Sequence, residues 1–288
     1  ASFCSSHICS REEEEYDMCH VCVIENVKSS MLSRRDFFRK SAAAGFAATA
    51  AGAVSARPAL AQASGKVVDL THVFDGEFPT FDGKPGILYK ENVNIDESGY
   101  QLWELTIFEH SGTHIDAPLH FSKDNTSVAE LDPQNLVCPL CIVDIKAKAA
   151  DDANAMVEPE DIEAWVSANG DIPQGACVAM NSGWEAKLGT DAYRTNAEGN
   201  FAFPGFSKAA TDMLAEMGAG SIGVDTLSLD PGNSADFAVH NSWLPSGHFG
   251  IENLASLDQL PASGATLFVG APKHRDGTGG PARVMAVI

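Results

Sequence analysis

Hydrophobic and polar positions along this chain fall into short runs separated by turn-forming residues, with no single long period. Residues 67–70 read as a first strand. A loop over 74–86 follows, with Pro79, Pro85, Gly76, Gly83 and three phenylalanines. Residues 101–108 are apolar and partly alternating, the two-residue period of a strand. The runs 137–145, 176–180, 221–224, 266–269 and 284–287 are apolar and of strand length. Two helices are marked by their ends. Glu158-Pro159-Glu160-Asp161 places proline and acids in a first turn, and Asn169-Gly170 closes it. Ser207 caps a second helix that runs to about Met217 and stops at Gly218. Its Met213, Leu214 and Met217 are expected in the core. Strands and helices are mixed, so the class is α/β or α+β.

Not all 288 residues belong to that pattern. Ser33-Arg34-Arg35-Asp36-Phe37-Phe38-Arg39-Lys40 is a twin-arginine pattern followed by a small-residue apolar run, and Ala61-Gln62-Ala63 supplies an A-x-A cleavage site. Residues 31–63 therefore read as an export signal, with Met31 as initiator and Ser64 as the mature start, and the protein is expected in the periplasm. Residues 1–30 hold Cys4, Cys9, Cys19 and Cys22 around an acidic run. A small zinc knuckle is conceivable there, but so few apolar residues favour an extension without a packed core. Residues 64–288 suit one domain. They carry the whole formal charge of −20, since acids and bases balance upstream. That acidity disfavours nucleic acid and anionic membrane surfaces, and no run in 64–288 is long and apolar enough for membrane insertion. Cys138 and Cys141 lie in a strand-like run, and with Cys177 they are too few for a disulfide scaffold; Cys138 and Cys141 read as buried thiols.

The chemistry is concentrated in Glu109-His-Ser-Gly-Thr-His-Ile-Asp-Ala-Pro-Leu-His-Phe121. Imidazoles and a carboxylate are the usual ligands of zinc and related divalent ions. Gly112 and Pro118 argue against a helix, so the expectation is a strand ending near Glu109 and then a tight irregular turn. There His110, His114 and Asp116 converge, Gly112 lets the backbone pass close to an ion, and Thr113 hydrogen-bonds a ligand.

The stretch resembles the H-x-G-T-H-x-D-x-P-x-H signature of the metal-dependent cyclase family, which includes kynurenine formamidases and isatin hydrolases. His110, Gly112, Thr113, His114, Asp116, Pro118 and His120 match every fixed position. The resemblance implies a swivelling β/β/α single domain of α/β class, a homodimer or homotetramer, and a small-molecule amide substrate. It also implies that a distant histidine and a glutamate twelve residues apart complete a two-ion centre. His240 and Glu252 have that spacing, and Glu252-Asn253-Leu254 matches the family ending, which leaves His248 spare as a loop histidine. Carried over, the metal ligands are His110, His114, Asp116, His240 and Glu252. The ion is zinc, with manganese as the alternative, and Asp116 or Glu252 bridges two of them. His120 is then the acid/base rather than a sixth ligand. Residues 181–184, 223–226 and 277–283 are similar to further family segments, and Asp225 is expected either beside a ligand or in a structural hydrogen-bonding role. The implied activity is hydrolysis of a C–N bond in an arylformamide by metal-activated water. An isatin-like cyclic amide is the alternative, in a branch with one metal and no glutamate. A periplasmic metal- or ligand-binding protein without catalysis is the competing class.

Overall fold

The apolar runs of the sequence become the middle of a nine-stranded sheet in the computed structural model, which describes residues 65–288. The twin-arginine segment and the Cys4–Cys22 cluster lie outside the described residues. In chain order the strands are β1 Val67–Asp69, β2 Ile87–Val93, β3 Leu102–Ile107, β4 His114–Asp116, β5 Val137–Asp144, β6 Met156–Val157, β7 Cys177–Asn181, β8 Gly205–Phe206, β9 Ser221–Val224, β10 Phe249–Glu252, β11 Ala265–Gly270, β12 Gly279–Pro281 and β13 Arg283–Val287. The helices are α1 Ile95–Ser98, α2 Lys146–Asp151, α3 Pro159–Asn169, α4 Lys208–Glu216 and α5 Ala238–Trp243.

The large sheet runs β1-β13-β11-β5-β7-β9-β10-β4-β12. Its centre, β5-β7-β9-β10, is parallel, and both flanks pair antiparallel. Parallel strands are covered on both faces, so they read as continuous apolar runs. Alternate side chains of β5 show this. Cys141 and Val143 pack under Ile162 and Trp165 of α3, Leu214 of α4, and Val239 and Trp243 of α5. Leu140 and Ile142 face a second core with Ile115, Ile251, Leu254, Leu267 and Val284. The sheet curls around this second core: Thr71, just past edge strand β1, bridges Leu254, just past β10, and Ala255 N–H donates to Leu70 O at 2.9 Å. This is the mixed α/β architecture expected. Cys138, Cys141 and Cys177 are free and buried, and burial pushes the Cys141 thiol up to about 11. Met217 departs from expectation: it lies at the helix end and is 36% exposed.

The strand predicted at 101–108 exists, but it pairs only with β2, a strand that the pattern misses because Lys90, Glu91 and Asn92 break its apolar alternation. The two form a separate exposed hairpin, whose second strand leads directly into the histidine-rich stretch.

Candidate metal centre

Half of the expected turn is a strand instead. Residues 110–113 turn, with Gly112 at φ +64°, and His114–Asp116 is the buried strand β4 between β10 and β12. Residues two apart on a strand share a face, so His114 and Asp116 point the same way while Ile115 enters the core. The register places Glu252 opposite His114 and Gly250 opposite Asp116 on β10, with Gly279 opposite Asp116 on β12. Asp116 thus has a glycine on either side. A Cβ at Gly250 would lie 2.6 Å from Leu229 Cδ1, and one at Gly279 would lie 2.7 Å from His110 Cε1. The missing side chains make room for the cluster.

Four groups meet on this face. His114 Nε2 lies 3.3 Å from both Asp116 Oδ1 and Glu252 Oε2. His240 Nε2 lies 3.3 Å from Glu252 Oε1 and 3.5 Å from Asp116 Oδ2. His110, at the turn, brings Nδ1 to 2.6 Å from Asp116 Oδ1. The ring of His120 stacks on that of His110 with centroids 3.6 Å apart. All five expected ligands and His120 therefore come together. Five of the six form two overlapping trios within ligand distance of one another, His110-Asp116-His120 and His114-Asp116-Glu252, with Asp116 in both; His120, expected as the acid/base, is in one of them, and the expected ligand His240 is in neither.

Several partners have no counterpart in the sequence reading. Asp230 accepts the Val239 and His240 N–H groups, at 2.8 and 3.0 Å, and so caps α5. Its Oδ2 also takes His240 Nδ1–H at 2.6 Å, which turns Nε2 toward the cluster. Gly112 O does the same for His114 Nδ1 at 2.9 Å. Leu229 N–H donates to Glu252 Oε1 at 3.0 Å. A carboxylate ten residues before a histidine and just ahead of a Pro-Gly turn has no local signature, so Asp230 could be found only in space.

Other expectations are corrected. Thr113 bonds no ligand; its hydroxyl donates to Asn253 O at 2.6 Å and accepts His72 N–H, tying the turn to the chain just past Glu252. Gly112 is glycine for its left-handed φ and because the Phe74 ring would lie 2.9 Å from a Cβ. Asp225 is structural: it accepts Ser182 Oγ–H and the Ser182 and Trp184 N–H groups, and burial pushes its carboxyl up to about 6 against those bonds. His248 packs on Trp243 with centroids 4.2 Å apart and is spare, as expected.

Charge balance in the cluster is lopsided. Asp116 is fully buried; burial would raise its carboxyl, yet the His110 charge and the imidazole hydrogen bonds hold it well below the usual range. For Glu252, burial and the Asp116 charge both raise the carboxyl, and the His114 and His240 imidazoles 3.3 Å away outweigh them. Burial disfavours the charged form of His114, but Asp116 and Glu252 raise it to about 10, and His240 is raised well above 6.5. His120 goes the other way. Burial, aided by the His110 and His240 charges, lowers it to about 4. Even so, His114 Nε2 and Asp116 Oδ2 are buried without a hydrogen bond. Two buried lone-pair atoms without a hydrogen-bond donor, facing one point, fit a cation, and an all-imidazole-and-carboxylate donor set fits zinc or manganese.

The cluster borders a cavity of about 240 Å³ whose lining also includes Pro79, Phe81, Phe121, Leu227 and Phe237; Phe121 lies against the rings of His120 and His240, with centroids 4.7 Å from each. The 74–86 loop both walls this cavity and packs: Phe81 lines it, whereas Phe78 is buried against Tyr193.

The Cyclase family model matches residues 68–231. Isatin hydrolase of Roseibium aggregatum is 30% identical over 241 residues, 77% of this chain and 92% of that protein. Kynurenine formamidase of Bacillus cereus is 25% identical over 219 residues, 76% and 95% of the two chains. Among solved structures, isatin hydrolase A from Labrenzia aggregata, bound to benzyl benzoate, superposes with a TM-score of 0.73 at 32% identity, covering 77% of this chain and 93% of that one.

Proposed function

This chain belongs to the cyclase family, and on that footing we propose that it hydrolyses the C–N bond of a small amide carried on an aromatic ring, with divalent metal held by His110, His114, Asp116, His240 and Glu252. The observation that carries this reading is the meeting of Glu252 and His240 with the β4 residues around two unpaired buried atoms. Asp116 belongs to both trios and would be the residue they share if each held an ion. When bound, a divalent ion supplies Lewis-acid polarisation of the substrate carbonyl and lowers the pKa of water beside it. The chain's own residues do the rest. Phe81, Phe121 and Phe237 give a planar ring apolar walls in the cavity beside the cluster. His120, neutral near pH 7, takes the proton of the attacking water and returns it to the leaving nitrogen. An N-formyl arylamine such as N-formylkynurenine is the first substrate. An isatin-like cyclic amide is second, favoured by the 30% identity to isatin hydrolase against 25% to kynurenine formamidase. Stripping metal with a chelator should abolish turnover of one of these, and zinc or manganese should restore it. About two ions per chain would favour the formamidase branch and a firm single ion the isatin branch. Silence across a broad amide panel from fully loaded protein would favour a binding role and sink the hydrolase.

The same reading includes a homodimer, and the β2–β3 hairpin is the surface for it. Tyr89, Trp103, Leu105 and Ile107 share one hairpin face and are each 45–50% exposed, with Tyr89 and Trp103 edge to face. The opposite face carries the Lys90–Glu104 ion pair and Asn92. A hairpin alone is marginal in water, and an apolar centre with a polar rim is the make-up of a stable interface. The apolar face carries one charge, Glu91 opposite Trp103, so for a chain of charge −20 it is where a second copy can approach, each patch meeting itself across a two-fold. Ile107 and Phe108 also line a cavity of about 510 Å³ next to His110, so a copy seated on the hairpin would close that cavity. Leu105→Glu sets two carboxylates face to face and should convert the dimer to monomer by light scattering. A wild-type monomer at tens of micromolar would rule out the second copy.

A further inference from the structure

Behind the cluster, on the side away from Glu252, Gly277-Thr278-Gly279 lies against His110. Thr278 Oγ1 is 2.9 Å from His110 Nε2 and donates its hydroxyl proton to Glu109 Oε2 at 2.5 Å. Glu109 is surrounded by donors: Thr278 N–H lies 3.3 Å from each of its oxygens, and His274 Nε2 lies 2.5 Å from Oε1. With every neighbour donating, the carboxylate accepts. A threonine hydroxyl has one proton. Once that proton is committed to Glu109, Thr278 Oγ1 can only accept, and the proton between it and His110 must sit on Nε2.

The consequence is specific to this histidine. His114 and His240 donate from Nδ1, to Gly112 O and Asp230, and turn Nε2 to the cluster. His110 faces the cluster with Nδ1, 2.6 Å from Asp116 Oδ1. In a neutral ring protonated on Nε2, that Nδ1 presents a lone pair beside the Asp116 carboxylate, so both atoms are available to one cation. We infer that Glu109, acting through Thr278, holds His110 as the Nε2–H tautomer, so that His110 offers Nδ1 to the metal while His114 and His240 offer Nε2. Thr278 and Glu109 are positioning residues; neither touches substrate. This rests on the metal-centre reading above.

Glycines flank Thr278 because there is no room for more. A Cβ at Gly277 would overlap His274 Nε2, and one at Gly279 would overlap Ile115 O. Thr278 O also accepts Ala117 N–H at 2.8 Å, which fixes the backbone that carries the hydroxyl. Thr278→Val keeps the shape and removes the acceptor, and Thr278→Ser keeps the acceptor. Glu109→Gln presents an amide that can donate to Thr278 and so release the hydroxyl proton toward His110.

The test is zinc affinity by chelator competition, together with long-range ¹⁵N–¹H NMR of the histidines in the zinc-loaded protein. Wild type should show His110 protonated on Nε2 and metal-shifted on Nδ1. Thr278→Val should bind zinc about 10–100-fold more weakly, the usual cost of losing an outer hydrogen bond to a ligand. Thr278→Ser should recover most of that loss, and Glu109→Gln should move the His110 proton. If loaded wild type carries the His110 proton on Nδ1, or if Thr278→Val binds zinc as tightly as wild type, the tautomer inference fails and the metal centre stands. If wild type takes up no zinc or manganese, both fail. A Thr278→Val chain that does not fold leaves the wild-type NMR assignment as the deciding measurement.

Discussion

Asp116→Asn should leave a folded protein that no longer holds metal tightly and turns over amide on the order of 10³-fold more slowly. Asp116 is the only residue common to both ligand trios among the described residues, and it is fully buried between two glycines. No neighbouring carboxylate can move in, because Glu252 is already engaged by His114, His240 and Leu229 N–H. The Lewis acid supplies several kcal/mol of transition-state stabilisation, and about 4 kcal/mol is a factor of 10³. Metal content by mass spectrometry and kcat/KM give the answer. A variant with full metal and full rate would sink the site assignment.

The same residue governs how the protein responds to pH. In the metal-free centre His114 is raised to about 10 by Asp116 and Glu252. A group whose folded pKa exceeds its unfolded value near 6.5 contributes stability that is fully present below about pH 6.5 and fades as pH climbs toward 10. His120, lowered to about 4, acts in the opposite sense: its contribution is complete above about pH 6.5 and is lost as pH falls toward 4. Metal must displace the His114 proton, so loading releases protons and tightens as pH rises. Metal-free wild type should therefore lose melting temperature between pH 7 and 10, while zinc-loaded protein should not. In Asp116→Asn the metal-free loss should shrink, since the partner that raised His114 has lost its charge.

How far the sequence speaks depends on what carries each residue. His110, His114, Asp116 and His120 lie in one stretch, so residue types and spacing alone announce a cation site. Joining His240 and Glu252 to them took a resemblance, because their elements leave weak traces. β10 is four residues, Phe249–Glu252, with a glycine inside. α5 is six residues and starts from Phe237 in the left-handed region at φ 50°, so the cap position itself is a phenylalanine and not the Ser, Thr, Asp or Asn that usually announces a helix start. Its cap is Asp230, seven residues earlier than a local signal would sit. Of the central parallel strands, β5, β7 and β9 are legible because burial on both faces leaves mostly apolar runs. β4 is read as a turn because the two ligands facing the metal are polar, and a buried polar strand has the sequence signature of a loop. At this site chemistry masks the hydrophobic period that would otherwise have identified the strand.

His120→Ala should retain its metal and lose kcat by about 10²–10⁴, the usual worth of a positioned proton carrier. The argument turns on which half of the proton's path is hard. With a pKa of about 4, His120 is a reluctant base toward water whose own pKa near a divalent ion is about 7. That gap of about 3 units is about 4 kcal/mol uphill, while the imidazolium so formed is a strong acid toward an amide nitrogen. Uptake, not donation, is then the costly step. Metal-ligand loss and proton-carrier loss are separated by what is retained. A ligand mutant loses ions and rate together. His120→Ala should lose rate alone, recover part of it with added imidazole, and keep its affinity for an inert aryl amide analogue. If instead it loses an ion, His120 belongs to the His110-Asp116-His120 trio as a ligand, and the proton must travel by another group.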